Sequence, residues 1–276
     1  MKKIILILLI SLFSFSNLLA KRTITLGIAS TEIAINYLES GELIGCDSWS
    51  KEIDAAKGAV DLGSIENISY DLIKELKPEI IIVDSEFAFF GNKEKLNSLG
   101  FKVHYLPSIF TKVQMEKNIE TIAKLVGKAN KYSEVKTEFR TKHSAFELAK
   151  TMNSLNSEII YIERNYKGGL MIAGKSTTPN EILKQAGNKL NLKYDGWVDI
   201  DIKEIEKLNP EYIIITDKVV QQLGGNDKVI KFFENTNAGK EDKVVIIEDW
   251  ELRSYGIYVS DFLLKIMGTF NENNFK

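Results

Sequence analysis

The sequence predicts an α/β protein. It is built as two Rossmann-like lobes with mostly parallel sheets, a long bridging helix between them, and a cleft where the lobes face each other. A near-duplicated stretch is the first reason. "ISYDLIKELKPEIIIVD" at residues 68–84 returns as "IDIKEIEKLNPEYIIITD" at 200–217, with Ile73/Ile205, Leu76/Leu208, Pro78/Pro210 and Glu79/Glu211 among the identical positions. The second reason is that short, near-continuous apolar runs alternate with amphipathic stretches on both sides of the chain's middle. That is the mark of parallel strands covered by helices on two faces. The third is a single interruption. Between Lys112 and Asn153 there is no Pro and one Gly, Gly127, and apolar residues recur at helical spacing.

The elements follow in order. "TITLGIAS" (23–30) reads as a strand, and the helix after it is capped by Ser30 or Thr31 and stopped by Gly41. "LIGCDS" (43–48) is a second strand. Residues 68–77 form a helix and "EIIIVD" (79–84) a buried strand; "NKEKLNSLG" (92–100) is a helix and "KVHYLP" (102–107) a strand. After the long helical stretch, "EIIYIER" (158–164) restarts the alternation. "TPNEILKQAG" (178–187) begins with Pro and ends with Gly, as a helix does. The second copy supplies a helix and the strand "EYIIITD"; "NDKVIKFFEN", "KVVIIED" and "GIYVSDFLLKIMGTF" close the lobe as helix, strand and helix. The division is a lobe over 21–128, a bridge over 129–153 and a lobe over 154–276. In each copy the Pro of Leu-x-Pro-Glu cannot continue a helix and aims the chain into the strand. Ligands of open α/β sheets lie beyond the C-terminal ends of strands, so residues just past each strand are the candidates for the cleft.

Residues 1–20 read as a cleaved signal peptide. Lys2 and Lys3 precede the apolar run Ile4–Phe15, and Ala20 stands at the cut. At about 12 residues the run is too short to span a bilayer, and no Cys follows it, so the expectation is an exported protein that is not a lipoprotein. Without Lys2 and Lys3 the chain keeps 34 basic against 38 acidic residues. That mild acidity gives no footing for nucleic acid. Cys46 is alone and reads as a small buried hydrophobe without a disulfide. The sequence carries no Gly-x-Ser-x-Gly elbow, no Cys pair and no His pair at ligand spacing, so an enzyme is not expected. His104, inside a strand, and His143, on the bridge, read as structural.

Several stretches together resemble the solute-binding proteins that serve ABC importers for iron complexes and cobalamin. They are "ITLGIASTEIAINYLESGELIGCDS", "LGSIENISYDLIKELKPEIIIVD", the bridging helix, "MIAGKSTTPNEILKQAGNKL" and "VDIDIKEIEKLNPEYIIITD". The resemblance covers the chain after residue 20. It implies a rigid bridging helix, lobes that move little, and a monomer that meets inner-membrane permease subunits in the periplasm. It also implies a transported chelate rather than a covalently held cofactor: haem, a ferric siderophore or a corrinoid. A periplasmic sensory or interaction module without a transported ligand is the alternative of another class.

The resemblance also assigns residues. Haem-binding relatives carry a Tyr directly after the Gly before the first copied helix, where this chain has Ser64, so Tyr166 stands as the substitute metal ligand. Trp49 and Trp197 match aromatic cleft positions of the cobalamin binders, and "DWELR" (249–253) matches their Asp-Trp-x-x-Arg, which carries over Asp249 and Arg253. Their aromatics after Ser64 and after "EIIIV" are absent here, replaced by Ile65 and Asp84. Strand ends add Ser30, Thr31, Glu86 and Phe87 in "SEFAFF", Arg164, Lys175 and Trp250. The basic residues suit carboxylates and the aromatic rings suit a flat ligand. Asp71 and Glu204, on the copied helices, are the expected contacts with the permease.

Overall fold

The computed structural model describes residues 21–85, 93–107, 111–152, 156–165, 167–248 and 250–273. The first half runs β1 (Thr23–Leu26), α1 (Ile28–Ile35), β2 (Leu43–Cys46), β3 (Val60–Asp61), α2 (Tyr70–Leu76), β4 (Ile80–Val83), α3 (Lys93–Asn97) and β5 (Val103–Tyr105). These strands form one parallel sheet in the order β3-β2-β1-β4-β5. Two helices follow, α4 (Lys112–Leu125) and α5 (Tyr132–Met152). The second half runs β6 (Ile159–Arg164), β7 (Leu170–Ala173), α6 (Thr178–Ala186), β8 (Trp197–Ile200), α7 (Ile202–Leu208), β9 (Tyr212–Thr216), α8 (Asp217–Leu223), α9 (Asn226–Phe233), α10 (Asn237–Lys240), β10 (Val244–Ile247) and α11 (Val259–Asn273). Its sheet has the order β10-β9-β6-β7-β8 and is parallel except at β7, which runs antiparallel to both neighbours. Two mostly parallel five-stranded sheets therefore stand as expected. The β7–β8 pair was not foreseen: "LMIA" is too short and "WVDI" too polar to read as strands.

The duplicated stretch folds the same way twice. Ser69 caps α2 by accepting from Leu72 N, and Asp201 caps α7 by accepting from Glu204 N at 2.9 Å. Each helix then ends on a residue with φ 46°, Lys77 in one copy and Asn209 in the other, before Pro78 or Pro210 turns the chain into a strand. Ile73 and Ile205 are fully buried on equivalent faces. The strands that follow, β4 and β9, are buried along their whole length. That burial explains why neither shows the polar alternation of a half-exposed strand.

The bridge is a core element. On α5, Val135, Phe139, His143 and Phe146 form one buried stripe at steps of four, four and three residues. They join a single apolar core that takes Ile80 and Ile82 from the first sheet and Tyr161, Tyr212 and Ile214 from the second. Gly127, at φ 76°, breaks the helical stretch, so the bridge begins as a short 3-10 turn at Ala129–Lys131 and continues as α5. Each sheet has a further core on its other face, around Ile81 and Ile73 in the first and Ile213 and Phe233 in the second. Cys46 is buried, and burial pushes its thiol up to about 12. Among the described residues no helix is long and apolar enough to cross a membrane.

One buried carboxyl joins the two halves. Glu32 of α1 is 3% exposed and faces the backbone N–H groups of Tyr258 and Ile257, just before α11, with its Oε2 left without a hydrogen-bond partner. Gly256 is required beneath it, because a Cβ there would strike Glu32 Oε2. Burial pushes the Glu32 carboxyl up to about 8. The charges facing it, Lys142 of α5 and Asp261 of α11, are paired with each other at 2.8 Å.

Two outcomes are expected. Phe139→Ala leaves a cavity in the shared core and lowers the free energy of unfolding by about 3–5 kcal/mol in urea titrations. For Glu32 the folded state holds the proton more tightly than the unfolded chain. Its contribution to stability is therefore greatest below pH 4.5 and is lost as pH rises through about 8. Denaturation of wild type and Glu32→Gln across that window should show wild type losing ground to the variant; a constant difference would contradict the assignment.

Candidate functional site

The site is built around the end of β2. Asp47 follows Cys46 and is fully buried, and its carboxylate accepts four hydrogen bonds. Oδ2 takes Gly27 N and Ser50 Oγ, both at 2.6 Å, while Oδ1 takes Trp49 N and Ser50 N, both at 3.1 Å. Burial pushes this carboxyl above its ordinary value, against the pull of the donors. The turn so fixed presents Trp49, half-buried, toward the second half of the chain.

Opposite Trp49 stands Arg253, in the segment after β10. Its Cζ lies 3.8 Å from the indole centroid, a stacked cation–π contact. The guanidinium is buried, and Nη2 is paired with Oε1 of Glu163 near the end of β6. Glu163 is 3% exposed, and its Oε2 has no hydrogen-bond partner. Beside this junction lies a pocket of about 300 Å³ of empty space. Ala29, Asp84 and Pro107 line it from the first half; Thr178, Arg253 and Tyr255 line it from the second. Asp84, itself buried, lies over Gly27, where φ is 113° and any Cβ would run into the Asp84 carboxylate.

The structure separates some of the residues that the sequence grouped. Ser30 and Thr31 are fully buried and line no cleft. The first strand stops at Leu26 rather than at residue 30, so both fall in the first turn of α1 and fold back on Gly27. Ser30 Oγ donates to Gly27 O at 2.8 Å, and Thr31 Oγ1 contacts Gly27 O, Thr25 Oγ1 and Ser50 Oγ. They support the Trp49 turn from below. Ser64 is half-buried next to that turn, since Ser48 N donates to Gly63 O at 3.0 Å.

The three Trp do not share one place. Trp197 opens β8 opposite Ala173, edge-on to Tyr161 at 5.9 Å, in the body of the sheet. Arg164 pairs with Leu170 at the other end of β7, roughly 10 Å away along the strand, and is exposed. Trp250 lines a separate cavity of about 530 Å³ with Glu32, Tyr258 and Phe262. Lys175 is exposed after β7. Asp71 and Glu204 are exposed on α2 and α7, Asp71 with Lys74 at 3.3 Å. Glu86, Phe87, Tyr166 and Asp249 lie outside the described residues.

His143 is buried beside Phe139 with ring centroids 5.7 Å apart, and desolvation holds it below its ordinary value. His104 is lowered for the same reason. Among the described residues no three His, Cys, Asp or Glu side chains converge as a metal site.

Three buried carboxyl side chains around the site were not singled out from sequence: Asp47, Glu163 and Glu32. Two had a signal. Glu163 interrupts the apolar strand "IIYIER", and a charge in a strand buried on both faces needs a partner. Asp47 with Ser50 three residues on has the spacing of a cap. The stretch Gly169–Ser176 also matches the spacing of a phosphate-binding loop. Residues 170–173 are the strand β7, however, so no such loop forms.

Asp47→Ala should lower unfolding free energy by about 3 kcal/mol, because the four donors on its carboxylate lose their acceptor. With Trp197 and Trp250 replaced by Phe, it should also expose Trp49 to acrylamide. Unchanged quenching would mean that the turn does not depend on Asp47.

The periplasmic binding protein family profile matches residues 24–249. An uncharacterized ABC transporter substrate-binding lipoprotein of Bacillus subtilis, YvrC, is 26% identical over 207 residues, covering 72% of this chain and 64% of its own length. The chain thus spans just under two thirds of that relative. A vitamin B12-binding protein of Vibrio campbellii is 25% identical over 214 residues, covering 76% of each. Among solved structures, the periplasmic haem-binding protein RhuT from Roseiflexus sp. RS-1 superposes with a TM-score of 0.80 at 17% identity, over 92% of this chain and 98% of that one. That likeness is one of fold. The profile runs from the first strand of one sheet to just past the last strand of the other, and the chain belongs to the periplasmic binding protein family.

Proposed function

We propose that this protein is exported through its first 20 residues, captures an iron complex between its two lobes, and delivers it to the permease subunits of an ABC importer. The complex is haem or a ferric siderophore. The observation that carries this reading is Arg253 stacked on Trp49 at the junction of the halves. An indole face offers a flat conjugated ligand a large contact at low entropy cost, and a guanidinium offers its anionic groups a fork of donors. Ser64, next to the Trp49 turn, is a further contact in this reading. Glu86, Phe87 and Tyr166 are further ligand contacts in this reading, with Tyr166 the expected ligand of ferric iron. Arg164 and Lys175 add positive charge at its margins. Asp71 and Glu204, exposed on the two equivalent helices, dock the lobes on the permease. The protein acts as a monomer and performs no chemistry on its cargo.

A corrinoid is the second reading. The relative named as a vitamin B12-binding protein favours it, together with the pairing of Trp49 and Arg253, two positions at which this chain resembles cobalamin binders.

Tryptophan fluorescence of the purified protein without residues 1–20 tests both. Titration with haemin, cyanocobalamin and a set of ferric siderophores should give saturable quenching by one iron complex at sub-micromolar concentration. Arg253→Ala should weaken it at least tenfold. Quenching by cyanocobalamin alone would select the corrinoid, and silence toward every chelate would remove the reading.

A further inference from the structure

The cavity that Trp250 lines is separate from the pocket beside Arg253, with Ser254 bordering both. Its walls carry the rings of Trp250, Tyr258 and Phe262 and the carboxyls of Glu32, Glu251 and Asp261. Two polar atoms of this wall are unsatisfied. Glu32 is 3% exposed and Ser254 7%, and both Glu32 Oε2 and Ser254 Oγ are buried with no hydrogen-bond partner. A Cβ on Gly256 would strike Glu32 Oε2 and lie 3.0 Å from Ser254 Oγ, so the two atoms converge on one point. Two such orphans side by side cost free energy in a folded protein and call for an explanation. The other carboxyls of the wall are already paired. Lys265 meets Glu251 at 2.5 Å, and Lys142 meets Asp261 at 2.8 Å. Among the described residues Glu32 has no such pair and faces backbone N–H groups instead. The rings suit a cation, for Lys142 Nζ already lies 4.4 Å from the Tyr258 centroid.

We propose that this cavity is a second ligand site, which takes a small organic amine in its ammonium form. The ammonium donates to Glu32 Oε2 and Ser254 Oγ, and its carbon skeleton lies against Trp250 and Phe262. A charge-assisted bond to a buried carboxylate is the strong contact, and the indole and phenyl faces add a cation–π attraction. An anion would meet three carboxyls, and a neutral molecule would leave Glu32 without a counter-charge. Burial pushes the Glu32 carboxyl up to about 8, so it holds a proton at neutral pH. The arriving ammonium takes the place of that proton, which leaves to solvent. Binding is therefore tighter at pH 8 than at pH 6.5. The groups that face Glu32 do not reverse this sign: Lys142, Asp261, Glu251 and Lys265 are paired, and burial raises the Tyr258 hydroxyl above its ordinary value. The site is independent of the cargo reading. It lies where α1 of the first half meets the segment before α11 of the second, so a bound amine adds to the tie between the halves and stabilises the folded chain.

Calorimetry of the protein without residues 1–20 tests the site, with benzylamine as probe and benzyl alcohol and benzoate as its neutral and anionic counterparts. Benzylamine should bind saturably, at least tenfold tighter than either counterpart, and about tenfold tighter at pH 8 than at pH 6.5. Glu32→Gln removes the carboxylate that pairs with the ammonium. It should weaken benzylamine at least tenfold and abolish the pH dependence. Ser254→Ala keeps the charge and should weaken benzylamine at least threefold. Urea midpoints report whether each variant is folded, and Ser254→Ala carries the test if Glu32→Gln is not. Benzyl alcohol binding as tightly as benzylamine would overturn the site, as would benzylamine affinity unchanged in the folded variants. Failure of benzylamine to bind the folded wild type would leave the two orphan atoms to water and would overturn it equally.

Discussion

Two buried carboxylates, Glu32 and Glu163, fix the segment after β10 from opposite sides. Each is 3% exposed. Glu32 reaches from α1 in the first half of the chain and faces the backbone amides of Ile257 and Tyr258. Glu163, near the end of β6 in the second half, takes the side chain of Arg253. A carboxyl removed from water must be compensated or neutralised, and the two solutions differ. Glu32 faces backbone amides and is pushed up to about 8. Glu163 is matched by a guanidinium. The short strip from Arg253 to Tyr258 therefore meets one buried carboxyl from each half of the chain.

The rest of the architecture serves that strip. The bridge buries its stripe in a core shared by both sheets, so the lobes are one packed body along α5. Lys142 and Asp261 tie α5 to α11 on the flank of Glu32. Arg253, stacked on Trp49 and paired with Glu163, joins the two halves at that junction.

What could be read from the sequence was local or periodic. The duplicated stretch was legible because a capped helix, a proline and an apolar strand are each written in adjacent residues, and both copies fold as written. The strand-free middle was legible from its helical spacing. The β7–β8 pair was not, because its register is set by partners far along the chain: Leu170 pairs with Ile200, and Ala173 with Trp197. Of the site, Trp49 and Arg253 were named separately, and nothing in the sequence says that they touch. Ser30 and Thr31 were placed in the cleft because the first strand was read four residues too long. Asp47 and Glu163, which contact the Trp49 turn and Arg253, carried only slight signals: the cap spacing of Asp47 and Ser50, and a charge inside an apolar strand.

The central claim is that ligand enters between the lobes at the junction of Trp49 and Arg253. Hydrogen–deuterium exchange of the protein, with and without a saturating chelate, tests it most directly. Protection that appears together at residues 47–50 after β2 and at 250–258 after β10, segments from opposite halves of the chain, is the result this account predicts. Protection confined to one lobe, or to the surfaces of α8 and α9 far from both segments, would contradict it.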